Sequence, residues 1–398
     1  MLLEELRAEA RAWLDQNFEA WKREEGIVDP GPFGRNLSVD QARSWQRRLA
    51  DAGWGAPGWP AEYGGRGLGP VEQMVWQQEL ARAGANFTFT LVGFGMAGPT
   101  IIQHGTPEQR ERFLPPMLRA DEIWCQLFSE PGAGSDLASV TTRAVRDGDE
   151  WIVTGQKVWS SAAHFSDWGI LLARFDFDAP KHDGLVYLIL NMHADGVEVR
   201  PLKEMDGSAH FNEVYLDQVR VPDEHRLGEP GEGWLVARTT LMNERMNLGA
   251  STVGFSIPFD ELVELARDRG QAEAPLVRQG LAGVFIHERI LQLLIERIMA
   301  KLSAGQVPAA EGSIMKISLG DLAVEASSLG LRILRGEGGV HEEGGAQLAF
   351  LVSRSLHIGG GTDEVQKNVI GERILGLPRE PDEDRGKPFS QTRFAGSA

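Results

Sequence analysis

The chain has 398 residues, 42% hydrophobic and 24% charged, with a net charge of −17 at pH 7. That length exceeds what one core usually fills, so division into domains is expected, and the acidic balance argues against a nucleic-acid surface. The single cysteine, Cys125, excludes an internal disulfide and fits a reducing cytoplasm, and no apolar run approaches membrane-spanning length, so a cytoplasmic protein without membrane insertion is expected.

The first region reads as helical. Leu3, Leu6, Ala10, Trp13, Leu14, Phe18 and Trp21 recur at three- and four-residue steps and form one apolar stripe. Ser38 with Gln41 predicts a capping box, and Thr106-Pro107 with Gln109 predicts a second, with proline at the first helical position. Residues 53–70 are dense in Gly and Pro and read as an extended loop.

The period then changes. Trp151 and Val153 alternate, and Val214 and Leu216 alternate against Glu213 and Asp217, which fits half-buried strands. Leu185–Leu190 is continuously apolar, as in a strand covered on both faces. Asp147-Gly148 predicts a hairpin turn. Beyond residue 230 the helical period returns: Leu281, Val284, Phe285, Leu291, Leu294, Ile295, Ile298 and Leu302 keep to one stripe. Gly- or Pro-containing breaks near 270–275, 305–312 and 336–345 suit an antiparallel bundle. The expected class is α+β: an N-terminal α-helical domain over 1–122, a middle β-barrel or sandwich domain over 123–230, and a C-terminal antiparallel four-helix bundle over 231–398.

Chemistry concentrates between Trp124 and Arg174, in Ser-Glu-Pro-Gly-Ala-Gly-Ser-Asp (129–136) and Gly-Gln-Lys-Val-Trp-Ser-Ser (155–161). Gly132 and Gly134 permit positive φ, so the chain could turn tightly and present backbone N–H groups into a concavity. No Lys-Ser/Thr follows, so this is not a P-loop, and Leu137 stands where a dinucleotide fingerprint needs its third glycine. Hydroxyls, N–H groups and one indole suit a flat heteroaromatic cofactor with a hydrogen-bonding edge, although such Gly/Ser/Pro clusters are more often plain turns. The histidines are scattered, His287-Glu288 lacks a second histidine at Leu291, and no Gly-x-Ser-x-Gly elbow occurs, so neither a metal site nor a serine hydrolase is indicated.

These segments resemble the flavin-binding signature of the acyl-CoA dehydrogenase family. Matching pieces lie at 60–67, at 104–115 and at Gly-Gly-Gly-Thr-Asp-Glu-Val-Gln-Lys-Asn (359–368) running into 371–378, so the resemblance covers most of the chain. It implies an FAD enzyme that desaturates an acyl-CoA to the trans-2-enoyl-CoA and passes electrons to an electron-transfer flavoprotein, as a homo- or hetero-oligomer. Under it, Phe128 and Ser129 meet the flavin pyrimidine edge, and Gly134 and Ser135 contact its phosphate and ribityl parts, Ser135 also lying near the substrate's pantetheine. Trp159 packs on a flavin face and Ser161 bonds near N5, while Thr362 and Glu364 hold the diphosphate–adenosine half. Arg245 lies beside the acyl-CoA pantetheine.

Trp234, Ala237, Leu241, Glu244 and Leu248 share one helix face, four apolar residues and a carboxylate. Burying an ionised carboxylate is costly unless it is paired, so either an ion pair or a catalytic role is called for. Most of the family place their catalytic base just before the Gly-Thr of the last block, where this chain has Gly360. A minority place it in an Asn/Leu-Glu-Arg motif, matched here by Asn243-Glu244-Arg245, which makes Glu244 the expected base. The glycines at 359–361 also hint at room for a bulky or branched acyl group.

The chain departs from the pattern in three places. Leu127-Phe128 replaces the usual small and aliphatic residues before Ser129. No Arg-x-x-Phe-Gly, which reaches a neighbour's FAD, occurs between 266 and 280, and Arg335–Gly339 only loosely matches the Gly-Gly-x-Gly element that also touches that cofactor. A non-catalytic partner subunit and a flavin oxidase or monooxygenase on the same scaffold are therefore the alternatives.

Overall fold

The computed structural model describes residues 3–31, 34, 36–87, 91–250, 256–306, 311–336 and 345–392, apart from the side chains of 245–250. The chain forms two compact units, Met1–Glu244 together with Pro381–Ala398, and Arg245–Glu380.

The first unit begins with helices α1 (Leu3–Glu24), α2 (Val39–Asp51), α3 (Pro70–Ala83), α4 (Gly98–His104) and α5 (Pro107–Leu118). The α1 stripe buries Leu6, Ala10, Leu14, Phe18 and Trp21 against Trp45, Trp54 and Trp76, while Leu3 stays exposed in the first turn. Both expected capping boxes form, Ser38 with Gln41 on α2 and Thr106 with Gln109 on α5. The Gly/Pro-rich loop wraps one 3₁₀ turn, Ala61–Tyr63, and lays Arg66 over the Trp54 ring at 3.7 Å. Glu79 on α3 is buried and accepts from Arg7 and Arg11 of α1 and from Arg82, at 2.7–2.9 Å.

Eight strands follow: β1 (Trp124–Leu127), β2 (Arg143–Asp147), β3 (Glu150–Lys157), β4 (Trp168–Arg174), β5 (Leu185–Asn191), β6 (Val197–Pro201), β7 (Asn212–Pro222) and β8 (Arg226–Leu227). They make one mixed sheet in the order β6-β7-β3-β2-β4-β5-β8, with β1 parallel to β4. The hairpin at Asp147–Glu150 forms, with Gly148 at φ 62°. The apolar run in β5 is explained by period two. Leu185, Tyr187 and Ile189, with Trp168, Ile170 and Leu172 of β4, face a core shared with Ile101, Phe113, Met117 and Val236. Val186, Leu188 and Leu190, with Leu171 and Ala173, face a second core with Trp151, Val153, Val214 and Leu216.

Residues 388–392 return to this sheet. Pro388 bridges Pro180, the Phe389 N–H donates to Ala179 O at 2.9 Å, and the Ser390 N–H donates to Phe177 O at 2.7 Å. Phe389 is fully buried, with the Arg174 guanidinium 3.7 Å from its ring centre.

Helix α6 (Gly233–Ala250) carries the chain from the first unit into the second. There α7 (Phe259–Asp268), α8 (Pro275–Ser303), α9 (Glu311–Leu334), α10 (Gly345–Ser353) and α11 (Asp363–Val369) follow, with α9 packing on the other four. The core takes Val277, Val284, Leu291 and Ile298 from α8. Phe285, placed in that stripe by its spacing, is instead 53% exposed and meets only the edge of the core, beside Phe259 at 5.2 Å. A helical N-terminal region, a sheet in the middle and a helical C-terminal region are thus as expected. Among the described residues no helix is long and apolar enough to cross a membrane.

Hydrogen bonds from Arg11 hold the Glu79 carboxyl down to about 2, with Arg82 and Arg7 adding to them against the opposing effect of burial. Replacing Glu79 with Gln is expected to cost about 3 kcal/mol, since three guanidinium groups lose a buried partner. Urea unfolding of the two proteins at pH 7 measures this. The difference should shrink below pH 4, as the wild-type carboxylate takes up its proton.

Candidate active site

The 128–136 segment starts where β1 ends. Phe128 is buried and meets Tyr187 edge-on at 5.8 Å, while Ser129 is half-buried. Glu130 and Ala133 exchange two backbone hydrogen bonds of 3.0 Å, closing a tight turn over Pro131-Gly132. The turn does not use the glycines as their sequence suggested: neither Gly132 nor Gly134 is among the positive-φ residues. A β-carbon on Gly134 would meet nothing within 4 Å, so its contribution is open space, and Ser135 beside it is exposed.

The segment is held from beneath by a buried ion pair. Lys157, at the end of β3, is 0% exposed and donates to Phe128 O at 3.0 Å, Leu172 O at 2.7 Å and Glu130 Oε1 at 2.8 Å. The Glu130 carboxylate also accepts from the Thr141 and Thr142 N–H groups and the Thr141 hydroxyl, at 2.7–2.9 Å. Burial would push this carboxyl up, but the Lys157 charge and hydrogen bond, with those of Thr142 and Thr141, bring it down to about 2. The Glu130 carboxylate is therefore ionised at neutral pH, while burial pulls the Lys157 ammonium down against the opposing Glu130 charge. The Val158 N–H donates to Ser129 O at 2.9 Å, so Phe128-Ser129 and the residues after β3 run side by side.

Trp159 and Ala162 both adopt left-handed backbone, at φ 60° and 61°. Such conformations cost non-glycine residues stability and persist where their surroundings enforce them. Here 210–212 do so: Ser160 and Asn212 exchange backbone hydrogen bonds of 3.1 Å, and the Ala162 N–H donates to His210 O at 3.1 Å. The result presents the Trp159 indole 61% exposed, with the edge of Phe211 against it at 5.8 Å. Ser161 is half-buried beside it.

Glu244 lies on α6, whose Ala237 is buried and whose Trp234 and Leu241 are partly buried against the helix–sheet core. It is half-buried, less enclosed than its apolar stripe suggested. The side chains of Arg245 and Leu248 lie outside the described residues. In the second unit, Thr362 caps α11, its Oγ1 accepting from the Val365 N–H at 3.3 Å. Glu364 is exposed, its carboxyl held below the usual range by its own N–H and by the Thr362 hydroxyl. Gly360 and Gly361 are left-handed, at φ 67° and 90°, so the backbone itself favours glycine where the family's usual base would stand. Of Arg335–Gly339, 337–339 lie outside the described residues.

Sequence reasoning passed over Lys157 and Glu130 as site residues, although a lysine in register with buried Trp151 and Val153 was a signal. It also passed over Gln126, on the same β1 face as Trp124 and Phe128. The buried Nε2 of Gln126 has no hydrogen-bond partner, nor does the buried Oγ of Ser160; neither could be foreseen from spacing.

Three family models match the chain in succession: acyl-CoA dehydrogenase N-terminal domain over residues 1–121, middle domain over 125–219 and C-terminal domain over 231–375. The chain is similar to the acyl-CoA dehydrogenase IpdE1 of Mycobacterium tuberculosis, 40% identical over 394 residues that cover 95% of this chain and 98% of the relative. It is 45% identical to the acyl-CoA dehydrogenase FadE34 of the same organism over 342 residues, 84% of this chain but only 46% of that longer protein. Among solved structures, the "Tcur3481-Tcur3483 steroid ACAD" aligns with a TM-score of 0.81 at 32% identity, covering 95% of this chain and 98% of the other.

Exchanging Lys157 for Met would leave Glu130 buried and unpaired, and is expected to cost about 3–5 kcal/mol. The stabilisation belongs to a carboxyl whose folded pKa is depressed to about 2. It is therefore fully present above the ordinary carboxyl range and lost as pH falls from about 4 towards 2. Thermal unfolding of wild type and variant at pH 7 and pH 3 should show the gap narrowing.

Proposed function

Because the chain belongs to the acyl-CoA dehydrogenase family, whose members are FAD-dependent oxidoreductases, we propose that it converts an acyl-CoA thioester to its trans-2-enoyl-CoA and hands the electrons to an electron-transfer flavoprotein. The observation that carries this reading is Trp159, an exposed indole on enforced left-handed backbone, set beside the Phe128-Ser129 strand end. An exposed aromatic kept in a strained conformation suits a ligand face better than a core.

The residues present fit the cofactor. The orphaned Gln126 Nε2 calls for an acceptor, and the carbonyl-bearing pyrimidine edge of a flavin supplies one. Phe128 and Ser129 would meet that edge, Ser161 would bond near N5, and Trp159 would cover one face. The open space at Gly134 admits the ribityl and phosphate parts, with Ser135 beside them and near the pantetheine. Thr362 and Glu364 would hold the adenosine half, and Arg245 the acyl-CoA. FAD bound there would supply the acceptor for a hydride leaving Cβ. Glu244 takes the proton from Cα, leaving the Cα=Cβ double bond. A carboxylate buried against an apolar acyl group is a stronger base than one in water.

A bulky, steroid-like or branched acyl group is the substrate class we favour, supported by the likeness to a steroid enzyme and by the glycines at 359–361. Oligomerisation is supported by the exposed Phe285, Ile286, Ile290 and Leu293 on α8, an apolar face that water disfavours. The paired name of the structural neighbour, and the missing Arg-x-x-Phe-Gly, favour a second, different chain as partner. That absence also motivates a second reading, a non-catalytic subunit, which the exposed Trp159 opposes.

The purified protein should be yellow, and anaerobic addition of butanoyl-, isovaleryl-, octanoyl- or a steroid-side-chain acyl-CoA should bleach it. Glu244→Gln should keep FAD and lose about 10²–10⁴-fold in flavin reduction rate. A fully active Glu244→Gln enzyme would falsify the base assignment, and a colourless protein, alone or with its partner, would favour the non-catalytic reading.

A further inference from the structure

Three buried hydroxyls join the sheet to the two helices that cover it. Tyr187 on β5, Thr240 on α6 and Thr100 on α4 are each 0% exposed. Tyr187 Oη lies 2.9 Å from Thr240 Oγ1, Thr240 Oγ1 lies 2.9 Å from Thr100 Oγ1, and Thr100 Oγ1 lies 2.8 Å from Met96 O. Each hydroxyl has one hydrogen, so the direction follows from the far end. Met96 O can only accept, so the Thr100 hydrogen goes there. Thr240 can donate to Thr100 at 2.9 Å or, at the longer 3.4 Å, to Val236 O; the shorter contact makes Thr100 the acceptor, and Thr240 in turn accepts from Tyr187. Burial pushes the Tyr187 phenol up, so it remains a donor. Next door, Thr239 Oγ1 meets His104 Nε2 of α4 at 2.8 Å.

We propose that this chain of hydroxyls is a positioning device for Glu244, which stands one helical turn beyond Thr240. The inference rests on the reading of Glu244 as the base. The apolar contacts of α6 in this stretch come from buried Val236 and Ala237 and from partly buried Trp234 and Leu241, and such packing is less directional than a hydrogen bond. Hydrogen bonds are directional, and two on successive residues fix both the rotation and the axial position of α6. Residues four apart share a helix face, so the azimuth set at Thr240 is handed to Glu244. Tyr187 also touches Phe128, so the strand that anchors the helix is the one that backs the start of the proposed flavin segment. Tyr187, Thr240 and Thr100 are positioning residues and do not touch substrate in this scheme.

The test compares Thr240→Val, Thr240→Ser, Tyr187→Phe and Glu244→Gln holoenzymes with wild type. The readouts are FAD content, the limiting anaerobic flavin reduction rate and the half-saturating concentration, using the acyl-CoA from the panel above that bleaches wild type fastest. Thr240→Val and Tyr187→Phe should keep FAD and half-saturation while the limiting rate falls about 10–100-fold, as expected when a reacting group is displaced by a fraction of an ångström to an ångström. Thr240→Ser, which keeps the hydroxyl, should stay near wild type. Tyr187→Phe removes one oxygen and nothing else, so it decides the matter if Thr240→Val folds poorly. Wild-type rates in Tyr187→Phe beside an inactive Glu244→Gln enzyme would overturn the positioning role and leave the base standing. An active Glu244→Gln enzyme would remove the base itself, and this inference with it.

Discussion

A buried charged pair, Lys157 with Glu130, underlies the candidate site. An ammonium or a carboxylate taken alone into the interior would cost several kcal/mol. Lys157 and Glu130 avoid that by using nearly all of their hydrogen-bonding capacity: the ammonium has three acceptors, and the carboxylate has Lys157, two backbone N–H groups and a hydroxyl. The acceptors and donors belong to the end of β1, to β4 and to the segment leading into β2. Three pieces of chain that share no turn are thereby fixed at one point, directly under the residues that would meet a flavin. An apolar pair of similar volume could stabilise the fold as well, but it could not select which carbonyls and N–H groups converge.

Much of this was legible in the sequence, for reasons that differ by element. The capping boxes at Ser38 and Thr106 involve residues three apart, so local chemistry decides them. The strand covered on both faces at Leu185–Leu190 follows from composition alone. What spacing could not give was anything that depends on a third element. Phe285 fits the α8 stripe by period, yet it is 53% exposed, beside Phe259 of α7 at the edge of the core. The glycines of 129–136 suggested left-handed turns, whereas the left-handed residues prove to be Trp159 and Ala162, which no propensity scale would choose. Local preference was overridden where a side chain had to be presented, which is the pattern expected at functional positions.

The same contrast holds at the far end of the chain. Glycine at 360 looked like an absent catalytic acid. With φ at 67° and 90° on two successive residues, it is also the residue that the backbone prefers there. The proposed base, Glu244, lies instead on α6, a helix divided between the two compact units, with Glu244 and Arg245 on either side of the division. Within the first unit α6 is hydrogen-bonded through Thr240 to Tyr187 and Thr100 and through Thr239 to His104.

The return of Phe389 to the sheet has a consequence for how the protein is made. Ser390 and Asp178 are hydrogen-bonded across 212 residues of chain, and the Arg174 guanidinium rests on the Phe389 ring while its own donors hold Ala138 O and Val140 O. On a ribosome adding about 5–20 residues per second, roughly 10–40 s separate the synthesis of Arg174 from that of Phe389. Throughout that interval the nascent sheet holds a cation whose covering ring does not yet exist. The contacts around Ala138–Val140 are thus completed only by residues made after the helical bundle, so the sheet draws its covering ring from across the whole of that intervening synthesis.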